Sequence, residues 1–139
     1  MSYAIAIALH VVIAILGVGQ VAGLTVVAAV GQRSSPPAPA TWASLSRLTR
    51  GASWSLLLML LTGIWLEVLA GGAHGRSLWF PIAIVLFLAA GALLGITRRS
   101  LRKGEAGGNG SALSGVVTMG GAACGLVAII AALMQLKPF

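Results

Sequence analysis

The chain has 139 residues, of which 58% are hydrophobic and only 8% are charged. About a quarter of the residues of a soluble domain are charged, so this composition excludes an ordinary soluble protein and indicates a polytopic membrane protein. The net charge is +7, but the basic residues lie between apolar runs, so we expect lipid headgroups and no nucleic acid as their partners.

The first apolar run, residues 3–30, has no charged residue and contains a single histidine, His10. About 20 apolar residues cross a hydrocarbon core of about 30 Å, so the run predicts a membrane-spanning helix. It lacks the basic start of a secretory signal and is about twice as long as the apolar part of one, so we expect it to be retained.

Three further apolar runs follow. A proline-rich loop at 31–40 leads into residues 41–50, which predict a short amphipathic segment at the membrane interface. Spans are predicted at 52–70, at 78–97 after a glycine turn, and at 113–136 after a basic cluster and a glycine-rich stretch at 104–110, which we expect to be mobile. The predicted fold is all-α, an antiparallel bundle of four transmembrane helices in a single membrane domain, with no soluble domain.

The basic residues predict how the bundle is oriented. The connections between spans one and two and between spans three and four together hold seven of them, Arg33, Arg47, Arg50, Arg98, Arg99, Arg102 and Lys103. The opposite side holds Arg76 and Lys137. The positive-inside rule therefore predicts a protein of the bacterial inner (cytoplasmic) membrane, with the basic loops in the cytoplasm and both termini outside.

Two glycine pairs with GxxxG spacing predict close packing of helices. They are Gly19 with Gly23 in the first span, and Gly121 with Gly125 in the fourth. Small residues let helix backbones approach each other, and this drives association in lipid. We expect the two helices to form a tight pair, within one chain or across an interface of a homo-oligomer or a larger membrane complex.

His10 is the candidate functional residue. At 1.5 Å per residue it lies about 10 Å below the outer boundary, where an ionisable group is costly unless it faces the bundle interior. The imidazole can ligate haem iron or another metal, relay a proton, or simply hydrogen-bond to a hydroxyl, a carbonyl or Glu67. Gly17, nearly two turns further on, predicts a gap that admits a flat ligand or a neighbouring helix.

Other residues could complete or support such a site. Met59, Met119 and Met134 are candidate sixth ligands for a haem, although methionine in a membrane helix is usually a packing residue. Glu67 is expected to orient the imidazole, or else to reach the headgroups. The polar residues Gln20, Thr25, Thr62 and Thr118 are predicted to make hydrogen bonds between helices.

Enzymatic chemistry has little support in the sequence. Cys124 is the single cysteine, which excludes an intrachain disulfide and a CxxC motif. Motifs of metalloproteases, hydrolases and nucleotide-binding enzymes are also missing. We therefore do not expect the chain to be an enzyme on its own.

Several stretches resemble a predicted four-helix integral membrane family of bacteria whose function is unknown. They are LHVVIAILGVGQVAGL at 9–24, LTG at 61–63, LW at 78–79 and GALLGITRRSLR at 91–102. The chain is more distantly similar to the copper-resistance D-like and membrane-bound protoporphyrinogen oxidase families. The resemblance implies a four-helix bundle, and by analogy with the oxidase family it makes His10 a ligand of haem b. The chain lacks that family's second intramembrane histidine and its intramembrane lysine, so a sixth ligand would be a methionine or the His10 of a second chain.

The sequence leaves two functional hypotheses open. In the first, His10 lines an intramembrane site that holds haem b or a metal for redox work. In the second, the protein is a non-catalytic subunit that packs against a larger membrane complex through its glycine faces. A transporter component has less support because neither an inverted repeat nor a broken helix is visible in the sequence.

Overall fold

A computed structural model describes residues 2–34, 36–73, 77–107 and 111–136 of the chain. These residues form four helices and no strand, namely α1 (Ser2–Gly31), α2 (Pro39–Leu69), α3 (Trp79–Gly107) and α4 (Ser111–Leu136). Each helix is long and apolar enough to cross a membrane, as judged by length and composition. The prediction of an all-α bundle with four membrane-crossing helices is confirmed.

The helices form an antiparallel ring in chain order. Contacts along α1 and α2 run in opposite directions, since His10 meets Thr62 and Gly23 meets Leu48. The most extensive packing joins α1 to α2 and α3 to α4, and α1 also packs against α4. Packing between α2 and α3 is the weakest of the four neighbouring pairs, so the ring has one loose seam.

The helix α2 begins much earlier than the sequence predicts. The prolines at 36–39 were expected to form a loop and 41–50 a separate segment, but one helix runs from Pro39. Proline is favoured at the first position of a helix, where its missing N–H would be unpaired anyway. Trp42 and Leu45 then face the core and are buried, so the segment is a continuous part of a bundle helix.

The helix α3 also continues beyond its predicted span. It passes through the basic cluster at 98–103 and ends at Gly107, so residues 104–107 of the expected mobile stretch are helical. Packing explains the extension, because Gly104 is buried in a close contact. A Cβ atom added to it would lie 2.9 Å from Trp42 and 2.6 Å from Ala112. Residues 108–110 lie outside the described part of the chain.

The glycines after α2 end that helix, as predicted. Gly71 and Gly72 have φ values of 66° and 76°, which glycine adopts without steric cost. The Gly72 N–H donates to the Glu67 carbonyl and the Gly71 N–H donates to the Val68 carbonyl, the pattern of a Schellman motif. The rest of the expected turn, 74–76, lies outside the described residues.

Buried threonines satisfy their hydroxyl groups within their own helices. Thr49 donates to the Leu45 carbonyl at 2.7 Å, and Thr97 donates to the Leu93 carbonyl at 2.8 Å. Such bonds hide a polar group from an apolar interior at little cost. In the part of the chain that the structure describes, no buried side-chain nitrogen or oxygen lacks a hydrogen-bond partner.

Candidate intramembrane ligand site

His10 lies on α1 opposite Thr62 of α2, and the two side chains are hydrogen-bonded. The imidazole Nδ1 is 2.8 Å from the Thr62 hydroxyl oxygen. Thr62 is buried and His10 is partly buried, so the bond lies inside the bundle. The expectation that Thr62 makes a hydrogen bond between helices is confirmed, and the hydroxyl is the partner that His10 takes.

The surroundings of Thr62 decide which nitrogen of His10 carries the proton. The Thr62 hydroxyl has one hydrogen, and it donates that hydrogen to backbone carbonyls of its own helix, at 2.9 Å to Leu58 and 3.1 Å to Met59. With the hydrogen placed there, the same oxygen also accepts from Nδ1–H of the imidazole; a hydroxyl that donated to Nδ1 instead would make one hydrogen bond rather than two, so the first arrangement is favoured. The tautomer assigned in this way carries a lone pair on Nε2.

Gly63 makes room for the imidazole beside Thr62. A Cβ on Gly63 would lie 3.5 Å from Cε1 of His10, which is ordinary contact distance. A larger side chain at this position would extend into the space that the ring occupies. Thr62 and Gly63 together therefore place the imidazole, one by a hydrogen bond and the other by leaving space.

A cavity next to His10 is lined by residues of all four helices. It encloses about 450 Å³ of empty space, counting its open side. The space that water-sized molecules can occupy is only about 50 Å³, well below the roughly 300–1,000 Å³ that is usual for small-molecule sites, so the lining side chains would have to move apart to admit a ligand as large as a porphyrin. Almost all of the lining is apolar, and its side chains include Met59, Ala83, Phe80, Phe87, Ile130 and Met134.

The donor atoms at the cavity are one imidazole and two thioethers. His10, Met59 and Met134 line it from α1, α2 and α4. The described residues contain no group of three or more His, Cys, Asp or Glu side chains able to hold a metal ion. Any metal centre held here by the described side chains would therefore be a soft one, bound by nitrogen and sulfur rather than by carboxylates.

The other residues predicted for the site lie elsewhere. Gly17 packs against α2, where its Cβ would be 3.2 Å from Cβ of Ser55, so the expected gap admits a neighbouring helix. Met119 is partly buried on α4 but does not line the cavity. Glu67 is partly buried and does not line the cavity either, and the hydrogen-bond partner of Nδ1 is Thr62.

The glycine pairs contribute less to packing within the chain than predicted. Gly23 contacts Leu48 of α2. In contrast, a Cβ atom added to Gly19, Gly121 or Gly125 would have no atom of another helix within 4 Å. The α1 to α4 contact instead uses Gly120, whose Cβ would lie 2.6 Å from the Thr25 hydroxyl oxygen. One residue along a helix is a rotation of about 100°, so Gly121 points away when Gly120 faces inward. Within the chain, α1 and α4 do pack against each other, while the role predicted for Gly19, Gly121 and Gly125 at an interface with another chain stays a prediction.

Gln20 marks a second polar contact between α1 and α2. Its side-chain oxygen accepts a hydrogen bond of 3.2 Å from Ser55, and its amide lies over Gly51. The prediction that Gln20 bonds across helices is confirmed. Thr25 and Thr118 instead donate to carbonyls of their own helices.

Sequence reasoning missed the aromatic side of the cavity and Gly63. Phe80 and Phe87 of α3 line the cavity, and they are seven residues apart, which places them on one helix face. Met59 and Gly63 are four residues apart on α2. This spacing was a usable signal that both face His10.

One family model matches the chain. It is described as "Predicted integral membrane protein (DUF2269)" and matches residues 5–106, well over half of the 139 residues. The match includes His10, Met59 and Thr62 and ends before α4, which carries Met134. No curated protein and no solved structure matches the chain.

Proposed function

The chain belongs to the DUF2269 family of predicted integral membrane proteins, and we propose that it binds a redox-active metal centre inside the bundle through Nε2 of His10. The observation that carries the proposal is the hydrogen bond between Nδ1 and Thr62, which engages Nδ1 and leaves Nε2 as the ligating nitrogen of a histidine that lines an apolar cavity. Histidine ligands of metals are commonly oriented by such a bond at their other nitrogen.

Haem b is the first candidate for this centre. Histidine and methionine form a known pair of axial haem ligands, and the cavity offers both residue types. The two phenylalanines and the aliphatic side chains supply the apolar surroundings that a porphyrin needs. A bound haem would supply one-electron chemistry. The chain would provide His10 as a ligand, Thr62 to orient it, and a lining that excludes water.

The test is an absorption spectrum of the protein purified in detergent after expression with ample haem precursor. We expect a Soret band that is absent from the variant His10→Ala. If the wild-type protein shows no band and the variant is equally stable, the haem proposal is wrong.

Methionine variants sharpen this test. Met59→Leu and Met134→Leu should each be examined for a shifted Soret maximum or a changed reduced spectrum, since either thioether can serve as the sixth ligand. Met119→Leu is the matched control, because Met119 does not line the cavity. A spectrum that changes as much in the control as in both cavity variants would contradict ligation by the cavity methionines.

Copper(I) is the second candidate. One imidazole and two thioethers form a soft ligand set, which favours Cu(I) over harder ions. Titration with a Cu(I) chelator under reducing conditions would detect it. If copper rather than haem is the centre, the wild-type protein binds Cu(I) near-stoichiometrically, His10→Ala binds it at least tenfold more weakly, and neither shows a Soret band.

A non-catalytic role in a homo-oligomer or a larger membrane complex is the alternative from a different class. It is supported by Gly121 and Gly125, which are exposed on α4 with open space beside them. In that case Gly121→Leu would abolish stoichiometric co-purification with partners or self-association, and no cofactor would be present. We place the protein in the bacterial inner membrane, as its basic loops favour.

A further inference from the structure

A groove between α2 and α3 lies beside the His10 cavity. It encloses about 660 Å³ of empty space, counting its open side, and follows the weakly packed seam of the ring. Leu56, Leu57 and Leu60 line it from α2, and Phe87, Leu88 and Gly91 line it from α3. Apart from Ser53, the groove is lined by apolar residues and glycine, and the exposed side chains of Leu57 and Leu88 show that it is open on its outer side.

The basic end of the bundle is the end that carries Arg33, Arg47, Arg50 and residues 98–103. Two of its arginines, Arg50 and Arg98, lie in line with the groove. Arg50 precedes Leu57 by seven residues, and Arg98 follows Gly91 by seven, so each lies about 20° from that residue around its helix. Both arginines are exposed. Among the described residues, neither forms an ion pair.

The length of the groove matches one leaflet. From Arg50 to Leu60 is about 15 Å along α2, and from Arg98 to Phe87 is about 16 Å along α3. Half of a hydrocarbon core of about 30 Å is about 15 Å. A lipid whose headgroup lies between the arginines would therefore place an acyl chain along the whole groove.

We propose that the groove between α2 and α3 is a binding site for an anionic phospholipid, with its phosphate between Arg50 and Arg98 and one acyl chain against Leu57, Leu60 and Phe87. Charge complementarity identifies the occupant. Arginine binds phosphate oxygens with two parallel hydrogen bonds, and basic pockets between membrane helices bind anionic headgroups. The acid at this end, Glu105, lies two turns beyond Arg98 and leaves the mouth of the groove positive. This site is independent of any metal at His10.

The test compares lipids that stay bound to the full-length protein after detergent exchange, measured by native mass spectrometry. Phosphatidylglycerol should be retained at least tenfold more than phosphatidylcholine with the same acyl chains. The double variant Arg50→Gln with Arg98→Gln should lose at least tenfold of that retention, since each basic group near the surface contributes about 1 kcal/mol, or about fivefold.

The matched control is Arg33→Gln with Arg47→Gln. It removes two positive charges from the same end of the bundle but away from the groove. We expect retention of phosphatidylglycerol to fall less than threefold in this variant. If both double variants lose retention equally, the lipid is held by diffuse attraction to the basic end, and the proposed site in the groove is wrong. Equal retention of the two lipids would overturn it as well.

A second pair of variants tests the acyl chain. Gly91→Leu fills the groove and should lower retention of phosphatidylglycerol at least fivefold, while Ala92→Leu, exposed on the neighbouring face, should leave it unchanged. Unchanged retention in Gly91→Leu would overturn the groove as the binding site. Complete displacement of the lipid by millimolar glycerol 3-phosphate would also overturn it, because the headgroup alone would then account for binding.

Discussion

Thr62 has a single hydroxyl hydrogen, and where that hydrogen goes determines what His10 presents to the cavity. The carbonyls of Leu58 and Met59 lie within hydrogen-bond distance of that hydroxyl, and when the hydrogen is directed to them the oxygen accepts from Nδ1 and the Nε2 lone pair remains available. A hydroxyl at this position therefore acts as a positioning group for the imidazole. A hydroxyl was one of the partners expected for the imidazole, and Thr62, five residues before Glu67 on α2, supplies it.

We predict that Thr62→Val weakens binding of haem b by about 10- to 100-fold, as is usual when the group that orients a histidine ligand is lost. Thr62→Ser keeps the hydroxyl and should restore binding to near the wild-type level. Haem titration followed at the Soret band measures both.

Thr49→Val is the control for this prediction. Thr49 is also a buried threonine of α2, but it donates only to the carbonyl of its own helix. We expect haem affinity in this variant to stay within about threefold of wild type, since its hydrogen bond does not involve the ligand. A similar loss in Thr49→Val and Thr62→Val would show that the effect comes from destabilising α2.

At the scale of helices, consecutive glycines of α4 have opposite roles. Gly120 is buried against Thr25 of α1, whereas Gly121 is exposed and has open space beside it. A methyl group on Gly120 would overlap the Thr25 side chain, so α1 and α4 would have to move apart. A methyl group on Gly121 meets no atom of the chain.

We predict that Gly120→Ala lowers the free energy of unfolding by about 1–3 kcal/mol, the cost of overpacking a close contact. Gly121→Ala should leave it unchanged or raise it slightly, because alanine is the better helix former. Reversible unfolding in mixed micelles, followed by circular dichroism, measures both. Equal destabilisation by the two substitutions would contradict the assigned orientation of α4.

Hydropathy was sufficient to predict the four helices but not their full lengths. A span ends in the sequence where apolar residues stop, whereas α2 and α3 continue through basic and polar residues because Trp42, Leu45 and Gly104 pack inside the bundle. Those contacts join residues far apart in the chain, and periodicity within one helix cannot reveal them. The pairing of His10 with Thr62 depends in the same way on the relative register of α1 and α2. Sequence alone identified His10 as the candidate ligand and Met59, Met119 and Met134 as candidate second ligands. It could not show that Met59 and Met134 line the cavity and that Met119 does not.

At the scale of the whole molecule, the charged residues divide the bundle into two unlike ends. Exposed arginines and Lys103 gather where α2 begins and α3 ends, while His10 and its cavity lie toward the opposite end. The positive-inside rule then predicts a cytoplasmic basic end.

We predict that a cysteine at Ser34 reacts with a membrane-impermeant maleimide only after cells are permeabilised, whereas one at Ala73 reacts in intact cells. Both substitutions are made in the background Cys124→Ala, which removes the natural thiol. Ser34 and Ala73 are exposed residues at opposite ends of the bundle, so each reports on one end. The reverse pattern of labelling would place the basic end outside and contradict the proposed orientation.

Leu60 and Phe87 line both the His10 cavity and the groove between α2 and α3. These two side chains therefore lie between the cavity and the groove, at the most weakly packed pair of neighbouring helices. Rotation of those side chains would join the two voids and open a lateral portal from the hydrocarbon phase to the imidazole. A hydrophobic molecule dissolved in the bilayer would then reach Nε2 without ever passing through water.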